Sequence, residues 1–280
     1  MKKLLLIGLA LLLSFVTVVP GTSVTAEEKM ELSLYAINVG KADALLLRSG
    51  ETAYLIDTGS EDSWPALKKA LQAEGITRLD GVILTHTHKD HAGGLAYLLD
   101  SDIEVDQIYA SGYFKKKEKK HPAVIAAKEK DRTVTFLYGG DTLPLDGGTL
   151  EVLGPLEEAE EENNNSLVLL AAGGGGTMLL AGDMEFPEEE SLLKAGKIPQ
   201  VDVLKVGNHG NPDATGEDFL QAASPKVAVF STDSDVEPDT PAKRIVNWLS
   251  AHGAQMVVTQ ESEGGVMVKL QAGEISVEKK

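Results

Sequence analysis

Three histidines and an aspartate lie within six residues of this chain, in the segment His86-Thr87-His88-Lys89-Asp90-His91. Alternate side chains of an extended segment point to the same side, so His86 and His88 can bind one metal ion together. Asp90 and His91 are adjacent and diverge at a tight turn into a helix, which suits a second ion. Imidazole suits zinc, and a mixed imidazole and carboxylate set also suits manganese or iron. Because half of the six histidines fall here, we interpret the segment as a metal site rather than as a helix N-terminus with incidental histidines.

The residues around this segment predict that it lies at the edge of a β-sheet. The apolar run Gly81–Leu84 before it is short enough for a buried strand, and a helical pattern follows Gly93-Gly94. The carboxyl edge of a sheet is the usual place for a ligand site in α/β proteins. Asp57, Asp183 and His209 follow other predicted strands in the same way. We therefore expect these strand ends to converge on one site.

A site for two divalent ions needs a shared ligand, and a carboxylate is the natural bridge. We assign the bridge to Asp183. A water molecule held between the ions would become hydroxide near neutral pH and attack an electrophilic centre. Lys205, also at a strand end, has two interpretations: an anchor for an anionic substrate, or a surface lysine. His121 and His252 are expected to be surface residues without a function.

The first 26 residues have the order of a secretory signal peptide. Lys2 and Lys3 precede an apolar run from residue 4 to residue 19, and small residues precede Glu27. We expect cleavage after Ala26 and secretion of residues 27–280, with no further membrane-spanning segment. An uncleaved N-terminal anchor is the alternative, because the run is nearly long enough to span a bilayer. The chain has no cysteine, which excludes disulfides and a lipid-modified cysteine, so stability must come from the core.

Residues 27–280 are enough for one α/β domain, and neither a repeat nor a linker divides them. Strands and helices alternate so that each half supplies a sheet and its covering helices, which predicts a four-layer αββα sandwich. The net charge of −17 argues against non-specific attraction to nucleic acid over the whole surface. A local exception is the segment 115–120, whose five lysines can follow a phosphate backbone or form a solvated loop.

Several of these segments resemble the metallo-β-lactamase superfamily, namely Ile56–Gly59, Leu84–His91, Leu180–Asp183 and Leu204–Gly210. Within this superfamily, the chain resembles the branch typified by the hydrolase domain of the competence protein ComEC. The resemblance to this branch lies in Ile37–Ala44, Asn164–Leu169 and Asn208–Gly210. The resemblance runs from about Leu32 to the C-terminus. It implies metal-dependent hydrolysis, with phosphodiesters, including DNA, as the suspected substrates of the branch.

The resemblance also assigns residues to the site. The matches to the superfamily's ligand positions are His86, His88, Asp90, His91 and Asp183. Asp57 matches an aspartate that supports the site, and Asp43 lies in the opening motif near it. The branch often has His-His-Gly where this chain has Asn208-His209-Gly210, and Gly-His-Pro where it has Val236-Glu237-Pro238. We expect Glu237 to act as an oxygen ligand in that half of the site, which favours manganese; the alternative is a weakly held second ion.

These observations predict an exported metal-dependent hydrolase with two zinc or manganese ions, the second held less securely. The favoured activity is that of a phosphodiesterase acting on nucleic acid or on a cell-wall polymer, with Asp90, Asp57 and Lys205 as catalytic residues. A carboxyl-ester, lactone or β-lactam hydrolase with the same metal-activated hydroxide is the alternative enzyme. A binding domain with a degenerate second metal site is the non-enzymatic alternative.

Overall fold

The computed structural model describes residues 30–114 and 118–280. The predicted signal peptide, residues 1–26, lies outside the described residues, as do three of the five lysines of segment 115–120. None of the helices in the described ranges has the length and apolar character needed to cross a membrane.

The N-terminal half forms most of the first sheet. Its strands are β1 (Leu32–Ile37), β2 (Leu45–Ser49), β3 (Thr52–Ile56), β4 (Arg78–Leu84), β5 (Glu104–Ser111) and β6 (Thr135–Leu137). β1, β2 and β3 are antiparallel neighbours, joined by the loop of residues 38–44 and by a tight turn at residues 50–51, whereas β3 to β6 run parallel. Parallel strands need crossover connections, and these contain α1 (Trp64–Ala73), α2 (Lys89–Ala92), α3 (Leu95–Leu99) and α4 (Pro122–Glu129).

The C-terminal half forms the second sheet in the same manner. Its strands are β7 (Thr142–Leu145), β8 (Gly148–Gly154), β9 (Val168–Gly173), β10 (Gly176–Leu180), β11 (Val203–Lys205), β12 (Val227–Phe230) and β13 (Gln255–Val258). β7 to β10 are antiparallel and β10 to β13 are parallel. Their crossovers contain α5 (Phe186–Lys194), α6 (Glu217–Ala223) and α7 (Lys243–Ala251).

Two further strands, β14 (Gly265–Gln271) and β15 (Glu274–Lys279), return to the first sheet. The first sheet has the order β15-β14-β1-β2-β3-β4-β5-β6, and the second has the order β13-β12-β11-β10-β9-β8-β7. β14 pairs antiparallel with β1, so the C-terminus closes the sheet that the N-terminal half began.

Three apolar layers hold the sandwich together. The middle layer joins the sheets through residues such as Leu34 and Ile83 of the first and Leu169 of the second. The outer layers pack helices on each sheet, with Leu67 of α1 on one side and Leu249 of α7 on the other. Each fully buried side chain of this kind contributes about 1.5–3 kcal/mol. The predicted four-layer αββα sandwich is confirmed.

The structure corrects one of two local predictions. His121 is buried instead of exposed: its Nδ1 accepts a hydrogen bond of 3.1 Å from the Ala123 amide at the start of α4, and its ring packs against Phe114 and Phe136. His252 is exposed, as expected, and stacks on Trp248.

The turn between β9 and β10 shows how a glycine pair sets a hairpin. Gly174 and Gly175 have φ of +63° and +81°, in the left-handed region that other residues rarely adopt. A Cβ at Gly174 would lie 2.2 Å from the Leu270 carbonyl oxygen of β14. The hairpin therefore needs glycine both for its conformation and for its close approach to the first sheet.

This geometry predicts different costs for two Gly→Ala substitutions. Gly174→Ala combines left-handed strain with a backbone overlap and should lower the free energy of unfolding by about 2–5 kcal/mol. Gly196→Ala is the matched control, because Gly196 has φ +64° with no heavy atom within 4 Å of an added Cβ, and it should cost only about 1–2 kcal/mol. Urea denaturation at equilibrium measures both. Equal losses would contradict the close approach.

Candidate metal centre

The loops that follow β3, β4, β10 and β11 meet at one edge of the sandwich. They bring together most of the predicted site residues in clusters whose candidate ligand atoms lie within 4.8 Å of one another. The first cluster contains Asp90, His91, Asp183 and His209, and the second contains His86, His88 and Asp183. Asp183 belongs to both clusters. It therefore lies where a bridging carboxylate would have to be.

His91 is oriented by a buried carboxylate behind it. Its Nδ1 donates to Asp57 Oδ2 over 2.7 Å, and the Asp57 carboxylate also accepts from the Thr85 amide at 2.8 Å and the Thr85 hydroxyl at 2.7 Å. Burial raises the pKa of Asp57, and the adjacent His91 opposes that shift. Because Nδ1 is the donor, the lone pair of neutral His91 is on Nε2, which faces the centre. Asp57 thus stands one step behind the ligands, in the supporting position that its motif predicts.

His209 is oriented in the same way from the second sheet. Its Nδ1 donates to the Ser231 carbonyl oxygen at 2.8 Å, which leaves Nε2 directed at Asp183 Oδ2, 3.4 Å away. The backbone here is strained, since Asn208 and His209 have φ of +43° and +54°. Strained backbone of this kind is found where a functional side chain must be aimed.

Two observations test whether these residues fit a divalent cation. The Nε2 atoms of His91 and His209 are 3.3 Å apart, and with both Nδ1 atoms acting as donors they direct two lone pairs at each other when neutral. Such an arrangement is stable only with a proton or a metal ion between them. His86 Nε2 and Asp183 Oδ1 are buried without a hydrogen-bond partner, which is costly unless a ligand satisfies them. Nitrogen and oxygen donors of this kind suit zinc, manganese or iron.

Without metal, the electrostatics of the centre favour protons on its imidazoles. Burial alone would lower the pKa of His209, but Asp183, Asp90 and Asp43 outweigh it and raise the pKa to about 9. Asp183 and Asp57 likewise overcome burial and raise the pKa of His91. The same contacts hold the pKa of Asp183 well below its usual range, although burial acts in the opposite direction.

The remaining three residues of the clusters differ in environment. Burial and the neighbouring His91 lower the pKa of His86, whose Nε2 lies 3.8 Å from Asp183 Oδ2. Burial would raise the pKa of Asp90, but its contacts with His209 and His91 lower it. His88 is exposed, and together with the part-exposed Asp90 it marks the side of the centre that is open to solvent.

The structure corrects the interpretation of Lys205 as a surface lysine. Its side chain is fully buried, and Nζ contacts Asp43 Oδ2 at 2.8 Å and donates to the Val206 carbonyl at 3.0 Å. It therefore does not reach the surface, and its assignment as a catalytic anchor for an anionic substrate stays a prediction. Asp43 in turn lies 3.6 Å from His209 Nδ1 and donates its amide to the Asp90 carbonyl at 3.1 Å. The ion pair ties the second sheet to the opening loop of the first, directly behind the ligands.

Glu237 is not brought into the ligand clusters that the described residues form. Its Oε2 instead lies 3.2 Å from Lys41 Nζ, which is also 3.9 Å from Asp90 Oδ2. Sequence reasoning missed Lys41. It stands inside the opening motif Ile37–Ala44, but nothing in the motif alone indicates that its ammonium reaches the centre.

Asn208, which replaces a histidine of the resemblance, belongs to a polar network beside the centre. Its Nδ2 donates to Glu185 Oε1 at 3.2 Å, and Glu185 also accepts from Asn163 at 2.6 Å and Asn164 at 3.2 Å. Burial raises the pKa of Glu185, against the effect of the Asn163 amide. Sequence reasoning missed this carboxylate as well, although it follows Asp183 by only two residues.

Comparisons with known proteins agree with this geometry. The family model described as "Metallo-beta-lactamase superfamily" matches residues 37–234. ComE operon protein 3 of Bacillus subtilis (strain 168) is 29% identical over 245 residues, which are 81% of this chain and 31% of that protein. Competence protein ComA of Neisseria gonorrhoeae is 27% identical over 235 residues, 83% of this chain and 31% of that protein. The chain thus spans about a third of the length of these relatives.

A solved structure supports the same fold. The metallo-beta-lactamase fold protein YhfI from Bacillus subtilis superposes with a TM-score of 0.55 at 13% identity, covering 86% of this chain and 100% of that one. At this low identity the likeness concerns the fold alone.

The clusters predict metal stoichiometry. The wild-type chain should bind about two equivalents of zinc or manganese, and the pair of substitutions His86→Ala and His88→Ala should remove about one, because the first cluster keeps all its members. Asp183→Asn should weaken metal binding at both clusters, because Asp183 belongs to both. Metal content after reconstitution and gel filtration, read by mass spectrometry, measures this, with the exposed His252→Ala as control. Wild-type metal content in the double variant would rule out the second cluster.

The raised imidazole pKa values predict that metal binding releases protons. Metal ligation needs neutral imidazole, whereas the neighbouring carboxylates raise the pKa of His209 to about 9 and also raise the pKa of His91, which favours the protonated imidazoles in the metal-free protein. Affinity should therefore fall as pH is lowered from about 9 to 6. Calorimetric titrations in two buffers of different ionisation enthalpy count the protons. Identical heats in both buffers at pH 7 would contradict this protonation state.

Proposed function

This chain belongs to the metallo-beta-lactamase superfamily, whose fold is that of metal-dependent hydrolases, and it is similar to ComEC-like competence proteins; from that premise we propose that it is a metal-dependent phosphodiesterase. The observation that supports this most strongly is the pair of ligand clusters sharing Asp183. Paired metal sites with a common ligand occur in phosphatases and nucleases. The proposed substrate is DNA or another polymer joined by phosphodiesters, such as one of the cell wall.

The metals would supply the chemistry of the reaction itself. Divalent ions in such a site lower the pKa of water and neutralise charge on the attacked group. The protein's part is orientation: Asp57 and the Ser231 carbonyl hold His91 and His209 with Nε2 facing inward. Asp90 serves as a ligand at the solvent side of the centre. Catalysis by a site of this kind depends on groups held in place before the substrate arrives.

Two features favour a phosphodiester over a neutral ester or a β-lactam. One relative is named a competence protein, and phosphodiesters, including DNA, are the suspected substrates of the branch that this chain resembles. In addition, the ammonium of Lys41 lies at the open side of the centre, within 3.9 Å of Asp90 Oδ2, where an anionic substrate would gain from it. Two alternatives remain: an ester or β-lactam hydrolase, and a binding domain with a degenerate second metal site. Rate measurements on several substrates distinguish them from a phosphodiesterase.

We also propose that residues 27–280 act outside the cytoplasm. The support is the order of charged, apolar and small residues within residues 1–26, and the absence of cysteine is compatible with an oxidising compartment. N-terminal sequencing of the protein recovered from culture medium tests it, and a chain that retains residues 1–26 would favour the membrane anchor instead.

The proposed activity predicts a ranking of substrates. Protein loaded with zinc or with manganese should hydrolyse bis-p-nitrophenyl phosphate and single-stranded DNA, and nitrocefin much more slowly. Asp183→Asn should lower kcat by at least about a hundredfold, since it removes a carboxylate on which both clusters depend. Initial rates on the three substrates measure this, with His252→Ala as control. Faster turnover of nitrocefin would favour the β-lactam hydrolase, and no turnover at full metal content would favour the binding domain.

A further inference from the structure

Lys41 combines two properties that no other lysine or arginine of residues 30–114 and 118–280 combines. It forms an ion contact with a member of the ligand clusters, and its side chain is 28% exposed. Lys205, which also contacts a residue beside the ligands, is fully enclosed and neutralised by Asp43. Lys41 is therefore, within the described ranges, a cationic side chain that an incoming molecule can meet at this centre.

The loop that carries Lys41 is tied down on both sides. Before it, Asn38 donates its amide to the Gly264 carbonyl at 3.1 Å and its Nδ2 to the Ser262 carbonyl at 2.9 Å. After it, Asp43 donates to the Asp90 carbonyl at 3.1 Å. These hydrogen bonds fix the backbone on both sides of Lys41. Its ammonium therefore extends from a defined backbone position beside Asp90.

Glu237 holds this ammonium by an ion pair of modest strength. Its Oε2 lies 3.2 Å from Lys41 Nζ, and both side chains are partly exposed, at 28% and 32%. Ion pairs that face solvent are weak. A phosphate oxygen, which accepts a charge-assisted hydrogen bond from a lysine, can therefore replace the carboxylate.

The backbone of Glu237 is fixed as firmly as that of Lys41. The Glu237 carbonyl accepts from the Thr240 amide at 3.0 Å and from the Thr240 hydroxyl at 2.9 Å, and Thr240 is buried. The pair is consequently formed by two anchored segments, one from each half of the chain, that meet over the open side of the metal centre.

We propose that Lys41 contacts the phosphate group of the substrate and that Glu237 is its internal competitor, which holds the ammonium over the centre until an anion displaces it. This assignment rests on the proposed function for its substrate class. It gives Lys41 the role of substrate anchor and gives Glu237 a role other than that of a metal ligand.

Binding of inorganic phosphate to the zinc-loaded protein, measured by calorimetric titration, tests the assignment without requiring turnover. Lys41→Gln should weaken phosphate binding about tenfold at unchanged zinc content, the effect of one lost charge-assisted hydrogen bond. Lys41→Arg should stay within about threefold of the wild type because it keeps the charge. The matched control is Lys69→Gln, which removes an exposed lysine that pairs with Glu263 at 2.9 Å and should change nothing.

A double-mutant cycle tests the competitor. Glu237→Gln should tighten phosphate binding about threefold in the wild-type background and leave it unchanged in the Lys41→Gln background. An equal effect in both backgrounds would mean that the negative charge of Glu237 repels phosphate independently of Lys41. That result would overturn its role as competitor. Loss of zinc from Glu237→Gln would identify it as a ligand and would overturn that role too.

The outcomes separate this assignment from the proposed function. Unchanged phosphate affinity in Lys41→Gln overturns the assignment, whatever the enzyme hydrolyses. Weakened phosphate binding together with no hydrolysis of any phosphodiester leaves Lys41 as an anion anchor and overturns the phosphodiesterase. For an active enzyme, Lys41→Gln should raise KM for bis-p-nitrophenyl phosphate more than it lowers kcat. A chain that binds neither zinc nor phosphate overturns both.

Discussion

The buried carboxylate of Asp183 lies between imidazoles that belong to different elements, 3.1 Å from His91 Nε2 and 3.4 Å from His209 Nε2. An isolated carboxylate in such a position would be strongly destabilising, because burial removes the water that solvates its charge. Positive charge must therefore be supplied, by protons on the imidazoles or by bound metal ions. This requirement explains why the strand ends of both halves converge here and why the supporting hydrogen bonds all point the imidazoles inward.

The same constraint accounts for the second ring of contacts. Asp57 and the Ser231 carbonyl accept from His91 and His209, and the Asp43–Lys205 pair lies behind His209. A buried ion pair contributes little net stability, since desolvation offsets much of its attraction, but losing one partner typically costs about 3–5 kcal/mol. The role of the Asp43–Lys205 pair is therefore to fix the relative position of two segments. It joins β11 of the second sheet to the opening loop of the first at the place where the ligand geometry is set.

On the solvent side the charges are arranged differently. Asp90, Lys41 and Glu237 are partly exposed and form ion contacts that an incoming anion can exchange. The contrast with the enclosed Asp43–Lys205 pair separates two uses of lysine at one centre. The enclosed lysine fixes the relative position of the two sheets at the centre, and the exposed one is available for recognition. In an acidic chain with net charge −17, a local cation beside the candidate metal centre would lower the repulsion that the proposed phosphodiester substrate meets.

The sequence by itself determined the family, the αββα layers, and the segment His86–His91 as the centre of the site. The family follows from the resemblance of motifs such as Leu84–His91. The layers and the site segment follow from short-range regularities, namely apolar runs of strand length, glycine at turns such as Gly174, and side-chain directions set over two to five positions. Burial of Lys205 and His121 and the Lys41–Glu237 contact were decided only by the tertiary structure. A lysine at a strand end can be buried when a loop that is distant in sequence brings a carboxylate next to it. Whether this happens depends on how the two sheets pack. Local spacing in the sequence does not encode that packing.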